Sequence, residues 1–287
     1  MKLFRVGLGL LCLVSLPLSV QAQNNTAATA STYMMNQGWI NVNMGAAPNT
    51  QRWYAYGVVA GRSYCAEGIA EKTPTATGVG SYDGETSVFR ADGTTLIGRV
   101  DDSVAEPGNS GTGAPGNGVP FNPGRVCYIA PATETNFIRV GNLNFGATVR
   151  SYQWRVIETT QFCPWFFSGS GFEAFILIKN TTNRDVRATV TLRDAAGTVL
   201  GTQAGTAPAN GSFNLQVSAA PPTGFGLTAA SGSVEIVYGP TVAPGPSFTN
   251  LLSVGAPGSL IANVTTLSFV SGVSFDTPAA PRQDWTR

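Results

Sequence analysis

The chain has 287 residues, 43% of them hydrophobic and only 11% charged; 17 lysines and arginines stand against 16 aspartates and glutamates, and there is no histidine. That apolar fraction can bury a core in one or two domains. The absent imidazole excludes Ser-His-Asp and Cys-His catalysis, histidine-ligated zinc and haem on a proximal histidine, and the scattered charge leaves no footprint for nucleic acid or an anionic membrane surface.

The N-terminus MKLFRVGLGLLCLVSLPLSVQAQ carries Lys2 and Arg5, an apolar run from Val6 to Val20 and small residues suited to cleavage after Ala22, the pattern of an export signal over 1–22. The run is shorter than the ~20 residues that span a bilayer, and no later segment is apolar for that long, so the expectation is a soluble secreted, periplasmic or cell-surface protein without a membrane span. Cys12 follows Leu11 rather than a small residue, so it leaves with the signal instead of carrying a lipid. Cleavage removes two basic residues and no acid, and 15 basic against 16 acidic groups give a net charge of −1.

Residues 23–32, QNNTAATAST, read as a flexible leader. From there no window places apolar residues at helical spacing over three turns; period-two alternation dominates instead, in NFIRVG (136–141), SYQWRVIE (151–158), FEAFILIK (172–179), SFNLQVS (212–218) and SVEIVYG (233–239). Val186, Ala188, Val190 and Leu192 share one side of a strand and Arg187, Thr189, Thr191 and Arg193 the other, before a DAAG turn at Asp194–Gly197. Gly and Pro punctuate these runs. The pattern predicts an all-β chain of two antiparallel β-sandwiches in tandem, over 33–158 and 165–276, with a junction at 159–164 and a polar tail over 277–287; a membrane barrel is the minor alternative. The Gly/Pro/Asn-rich stretch from Asp101 to Gly124 reads as a long surface loop.

Three segments of the first unit, WYAYGVVAGRSY (53–64), VFRADGTTLIGRVDDS (88–103) and YIAPATETNFIRV (128–140), resemble the bacterial pre-peptidase C-terminal domain. They follow that family's order of a strand ending in an Ala-Gly turn, a hairpin through Asp92-Gly93 leading to an acidic pair, and a late strand. The resemblance covers about 110 residues and implies a jelly-roll-like sandwich, usually a non-catalytic accessory of secreted proteins, some of whose relatives bind calcium or extracellular polymer. The long loop after Asp102 departs from the family's compact connection. The second unit, with NTTNRDVRATVTLRDAAGTVLGT and PANGSFNL, is similar to the small immunoglobulin-like modules of bacterial surface proteins.

Three cysteines remain after cleavage, and an oxidising compartment makes a disulfide the default. Cys65 and Cys127, both in strand-like runs of one unit, are the expected pair; Cys163 is left as a free thiol or as the link of a homodimer. Cys163 sits in QFCPWFFSGSGF (161–172), where a Cys-Pro beside Trp suggests redox chemistry but lacks the second cysteine of a dithiol motif. Trp165, Phe166 and Phe167 form either an exposed binding strip or, as the favoured expectation, the buried seam between sandwiches. Trp53, Tyr54, Tyr56 and Trp154 are expected in the core, with alternation exposing one of the pair Trp53 and Tyr54.

Within the long loop, GNSGTG (108–113) has the look of a serine-protease nucleophile loop without the histidine it needs, and GTGAPG (111–116) matches a phosphate-loop spacing without the helix that must follow. Asp101 and Asp102, with Asp83 and Glu85, could supply oxygens to calcium; the favoured expectation is that they cap turns. The function expected is therefore a non-enzymatic extracellular or envelope interaction protein, in adhesion, matrix or scaffold. A calcium-supported module for a polysaccharide or protein partner is the alternative, and a hydrolase working with carboxylates alone the remote one.

Overall fold

Strand pairing follows a palindromic plan in the first half of the chain. The computed structural model describes residues 24–43, 51–70, 84–101, 124–142, 151–183, 185–239 and 257–282. In chain order the first strands are β1 (Ser31–Thr32), β2 (Ile40–Asn43), β3 (Gln51–Val58), β4 (Ser63–Ala70), β5 (Gly84–Phe89), β6 (Leu96–Asp101), β7 (Gly124–Ile129), β8 (Glu134–Asn142) and β9 (Ser151–Glu158). β2 pairs with β9, β3 with β8, β4 with β7 and β5 with β6, all antiparallel. A long hairpin paired in this way and rolled over itself is a jelly roll, and its sheets run β1-β3-β8-β5-β6 and β2-β9-β4-β7. Between them lies a core rich in aromatic residues, with Tyr33, Tyr56, Tyr64, Tyr128 and Trp154 buried among Val88, Ile138 and Val156.

Phenol groups inside a core must find partners, and these do. The Tyr56 and Tyr128 hydroxyls are 2.9 Å apart, Asn136 Nδ2 donates to the Tyr128 oxygen at 2.8 Å, and the Val59 amide donates to Tyr64. Tyr33 reaches the carbonyls of Gly38 and Val156. Outside the core, Glu67 is clasped between Arg125 and Arg155, its cross-strand neighbours, at 2.6 Å each.

The segment read as a flexible leader is ordered. Asn24 is buried and exchanges hydrogen bonds with the backbone of Trp53, a short 3-10 turn spans Ala27–Thr29, and β1 pairs in parallel with β3. Ala27 lies where a side chain on Gly93 would stand; Gly93, with φ +67°, admits this approach. Trp53, on the outer side of its sheet, packs on Phe89 and Phe137 beneath the Arg139 guanidinium and is only 7% exposed. Tyr54 faces the core against Trp154 at 4.2 Å, so neither of that pair is left bare, contrary to simple alternation.

The second half contains β10 (Gln161–Ser168), β11 (Phe172–Asn180), β12 (Val186–Arg193), β13 (Val199–Ala207), β14 (Ser212–Gln216), β15 (Ala230–Tyr238), β16 (Leu260–Ser268), β17 (Ser274–Pro278) and β18 (Ala280–Pro281). Its sheets run β13-β12-β15-β10-β18 and β14-β11-β16-β17. Val186, Ala188, Val190 and Leu192 all point inward, joining Ile176, Val234, Ile236, Leu260 and Val264 in a largely aliphatic core. The result is an immunoglobulin-like sandwich in which the first strand, β10, edges β15, and β16 lies beside β11, exchanging the edges that first and last strands ordinarily hold.

Two boundaries differ from the expectation. The junction shrinks to Thr159 and Thr160, because β10 already begins at Gln161. The tail from 277 is partly strand, since β18 pairs with β10. Around the junction the Thr159 amide donates to the Ser63 carbonyl, the Ser63 amide to Thr160 Oγ1, and the Arg282 amide to the Thr160 carbonyl.

Candidate functional site

β10 carries the stretch that contains Cys163, and its burial does not alternate. Cys163 and Phe166 both face the core, three residues apart, because the pairing with β15 shifts between them. Such a β-bulge accommodates Pro164, which could not donate to a regular ladder. The bulge turns Trp165 outward, 42% exposed, while Phe166 is wholly buried. The seam expected at Trp165, Phe166 and Phe167 is therefore corrected. Phe166 belongs to the second core, and Trp165 with the half-buried Phe167 forms an outer strip, the two rings nearly parallel at 6° with centroids 6.4 Å apart.

Cys163 is likewise placed by the bulge. Its thiol is buried and donates to the carbonyls of Trp165 and Thr277, and burial pushes its pKa up, opposed in part by the bond to Trp165. A disulfide to a second chain needs an accessible sulfur. The homodimer through Cys163 is corrected on that ground: the residue behaves as a small core hydrophobe. Cys65 and Cys127 are directly opposed on β4 and β7 and are joined by a disulfide.

The Cys163 bonds also tie β10 to β17, so Trp165 lies near the edge where Phe275 emerges, 49% exposed. Phe167 continues the strip, its ring 5.7 Å from that of Phe172. Beyond Phe172 the β10–β11 tip meets the β16–β17 tip: the Phe269 amide donates to the Gly171 carbonyl, and Gly171 closely approaches Val270. On this second tip Phe269 is 67% and Val270 88% exposed, with Val273 also exposed. Neither 161–172 nor 257–275 contains a charged residue. The end of the second sandwich formed by these two tips thus presents an uncharged apolar surface, of the kind that marks interaction sites; along the edge the first charge is the exposed Asp276, which follows Phe275 on β17 and accepts from Thr265 Oγ1.

Beside this strip an open depression of about 440 Å³ is lined by Phe167, Ser168, Ser170, Leu200, Leu227 and Asp194, among others. Its one carboxylate is engaged, since Asp194 Oδ1 accepts from the amides of Ala196 and Thr198 and caps the predicted DAAG turn. Nearby, the buried Glu173 accepts from the hydroxyls of Ser168 and Ser218 and from the amides of Ala174 and Ser218. On the sheet beyond, Glu235 pairs with Arg282 at 2.8 Å and with Arg193 at 3.8 Å, and Arg282 covers Phe162.

For the calcium set, the backbone register places Glu85 opposite Asp101. The side chains of both, and Asp83 and Asp102 entirely, lie outside the described residues, as do the loop motifs at 108–116 and the signal segment.

No family model and no curated protein matches the chain. Among solved structures, the full extracellular region of zebrafish Gpr126/Adgrg6 is similar at 9% identity and TM-score 0.29, over 90% of this chain and 42% of that one. A Bacteroides uniformis beta-glucuronidase 2 follows at 8% and 0.21, over 88% and 32%, and a glycosyl hydrolase family 2 member from Bacteroides cellulosilyticus at 7% and 0.20, over 80% and 28%. The chain spans less than half the length of each, and likeness at this level carries no functional argument.

Proposed function

We propose that this is an exported, non-enzymatic interaction protein of the cell envelope or its surroundings, a two-sandwich adhesion, matrix or scaffold component. The observation that supports it is the apolar end and edge of the second sandwich, on which Trp165, Phe269, Val270, Val273 and Phe275 are each exposed. Water-exposed apolar area of this kind costs free energy in a free monomer and is recovered on docking. The carboxylates around this surface are engaged: Asp194 caps a turn, Glu173 anchors a loop and Asp276 accepts from Thr265 Oγ1, and each would have to surrender those bonds to act as general acid or base.

The test is retention of the mature chain on envelope and matrix material from the exporting cell. Retention that survives raised salt and falls with Trp165→Ser supports the reading; equal recovery of both proteins in the soluble fraction overturns it. A polysaccharide partner is the second reading, favoured by the depression beside Phe167, and a screen of soluble glycans separates it from the first.

A further inference from the structure

We propose that the β16–β17 tip docks the protein on an uncharged lipid surface, inserting Phe269, Val270 and Val273 shallowly while Trp165 and Phe167 settle at the headgroup level; this rests on the reading of the apolar end of the second sandwich as the interaction surface. Contact with hydrocarbon penalises backbone polar groups left unbonded, because no water is there to bond them. Five of the six amides from Ser268 to Val273 are already bonded within the protein. The Phe269 amide donates to Gly171, the Gly272 amide to the Ser268 carbonyl, the Ser271 amide to Ser268 Oγ and the Val273 amide to Ser271 Oγ, while the Ser268 amide donates back to the Val273 carbonyl. The adjoining β10–β11 tip closes in the same way, Gly169 and Phe172 exchanging amide-to-carbonyl bonds.

Two other hairpins show that the chemistry is particular to this tip. The β5–β6 turn is capped by Asp92, whose carboxylate accepts from Thr94 and Thr95, and the β12–β13 turn by Asp194. A carboxylate at a tip bars it from lipid. The β16–β17 tip uses serine hydroxyls for the same capping task and is uncharged throughout. Aromatic rings set behind an apolar apex match the interfacial layer of a bilayer, where amphipathic rings concentrate. The absence of Lys and Arg from both tips points to neutral headgroups, since anionic lipid would be met by basic side chains. Insertion of roughly 5–10 Å suits such an apex.

The experiment is flotation of the mature chain with phosphatidylcholine vesicles, alongside Val270→Asp and Phe269→Ser. The expected result is flotation that is equal in 0.1 M and 1 M NaCl (about threefold different in screening length), with a blue shift of tryptophan emission. Val270→Asp should reduce the bound fraction on the order of tenfold or more at an unchanged melting temperature, because the side chain it replaces is 88% exposed. Should that variant misfold, Phe269→Ser and quenching of the unmodified protein by brominated phosphatidylcholine give the same decision. The inference is overturned if the chain stays with the soluble fraction, if it floats only with anionic lipid and releases in salt, or if sedimentation without lipid shows a dimer that Val270→Asp dissolves. Retention on envelope material without vesicle binding would sink the lipid partner and spare the interaction reading; loss of both would end both.

Discussion

The two sandwiches handle most of their aromatic residues differently. In the first, Tyr33, Tyr56, Tyr64, Tyr128 and Trp154 make the core and even the outward Trp53 is covered, while Trp39, 38% exposed, lies against the Arg155 guanidinium. In the second, an aliphatic core is complete without Trp165, Phe269 or Phe275, which remain at the surface. A chain that encloses aromatic rings in one half has the means to do so, which makes exposure in the other half a property of the surface rather than a failure of packing.

The largest effect expected from this contrast is at the disulfide. Cys65 and Cys127 are 62 residues apart, and a cross-link of that span constrains the unfolded chain by about 3–5 kcal/mol. Replacing both by alanine should destabilise the first sandwich by that amount, lowering its melting transition, and leave that of the second where it was. A single shifted transition for the whole chain in calorimetry would show that the halves do not melt separately and would break the comparison. In the unmodified protein the Cys163 thiol should be silent to a thiol reagent until the second sandwich unfolds, because its sulfur is fully buried.

Alkali should act on both halves through buried phenols. Burial drives the pKa of Tyr56 and Tyr128 up in the first sandwich; in the second, Tyr238 is pushed up to about 12, burial outweighing the bond with Gln161. A folded-state pKa above the unfolded value means that the folded protein holds its proton where the unfolded chain has lost it. The stabilisation is therefore complete below pH 10 and is lost as pH rises toward 12, by about 3 kcal/mol for Tyr238 alone. Tyr238→Phe should flatten the alkaline limb of a stability–pH curve for the second sandwich only. An unchanged limb would mean that Tyr238 does not titrate with unfolding.

Tyr128→Phe probes the first core on a smaller scale. It removes the oxygen that accepts from Asn136 and contacts the Tyr56 hydroxyl, leaving buried polar groups without their partner at about 1–3 kcal/mol. Urea unfolding monitored at the first sandwich would show it. The companion change Asn136→Ala together with Tyr128→Phe should cost less than the sum of the two, since the pair shares one bond.

What the sequence displayed and what it hid can be traced to single residues. Alternation in Val186 to Arg193 gave the faces of β12, and Asp-Ala-Ala-Gly gave its turn, because a regular ladder obeys a period of two. The same period fails at Cys163-Pro-Trp-Phe, where a bulge adds a residue and sends Cys163 and Phe166 to the same side. Pro164 was the visible signal, as a proline inside a strand-like run implies a bulge or an edge. The ordered start at Asn24 was hidden because small polar residues look alike whether solvated or bonded to a strand edge. The β16–β17 tip was legible only as a run from 257 to 275 without charge, a feature that composition contains but strand periodicity passes over.

The smallest expected effect is the one that decides what the exposed edge is for. Trp53 and Trp165 both point away from their sandwich interiors, yet Trp53 is 7% exposed and Trp165 42%. Trp53→Ser should cost about 3 kcal/mol or more, because it removes the ring packed on Phe89 and Phe137 and opens a cavity there. Trp165→Ser should change stability by no more than about 0.5 kcal/mol, the usual range for a surface position. If the Trp165 variant destabilises the second sandwich as heavily as the Trp53 variant does the first, the edge is a structural seam and its apolar residues serve folding. If stability holds while binding falls, selection for packing cannot account for a tryptophan there, and the edge is kept apolar for something outside the molecule.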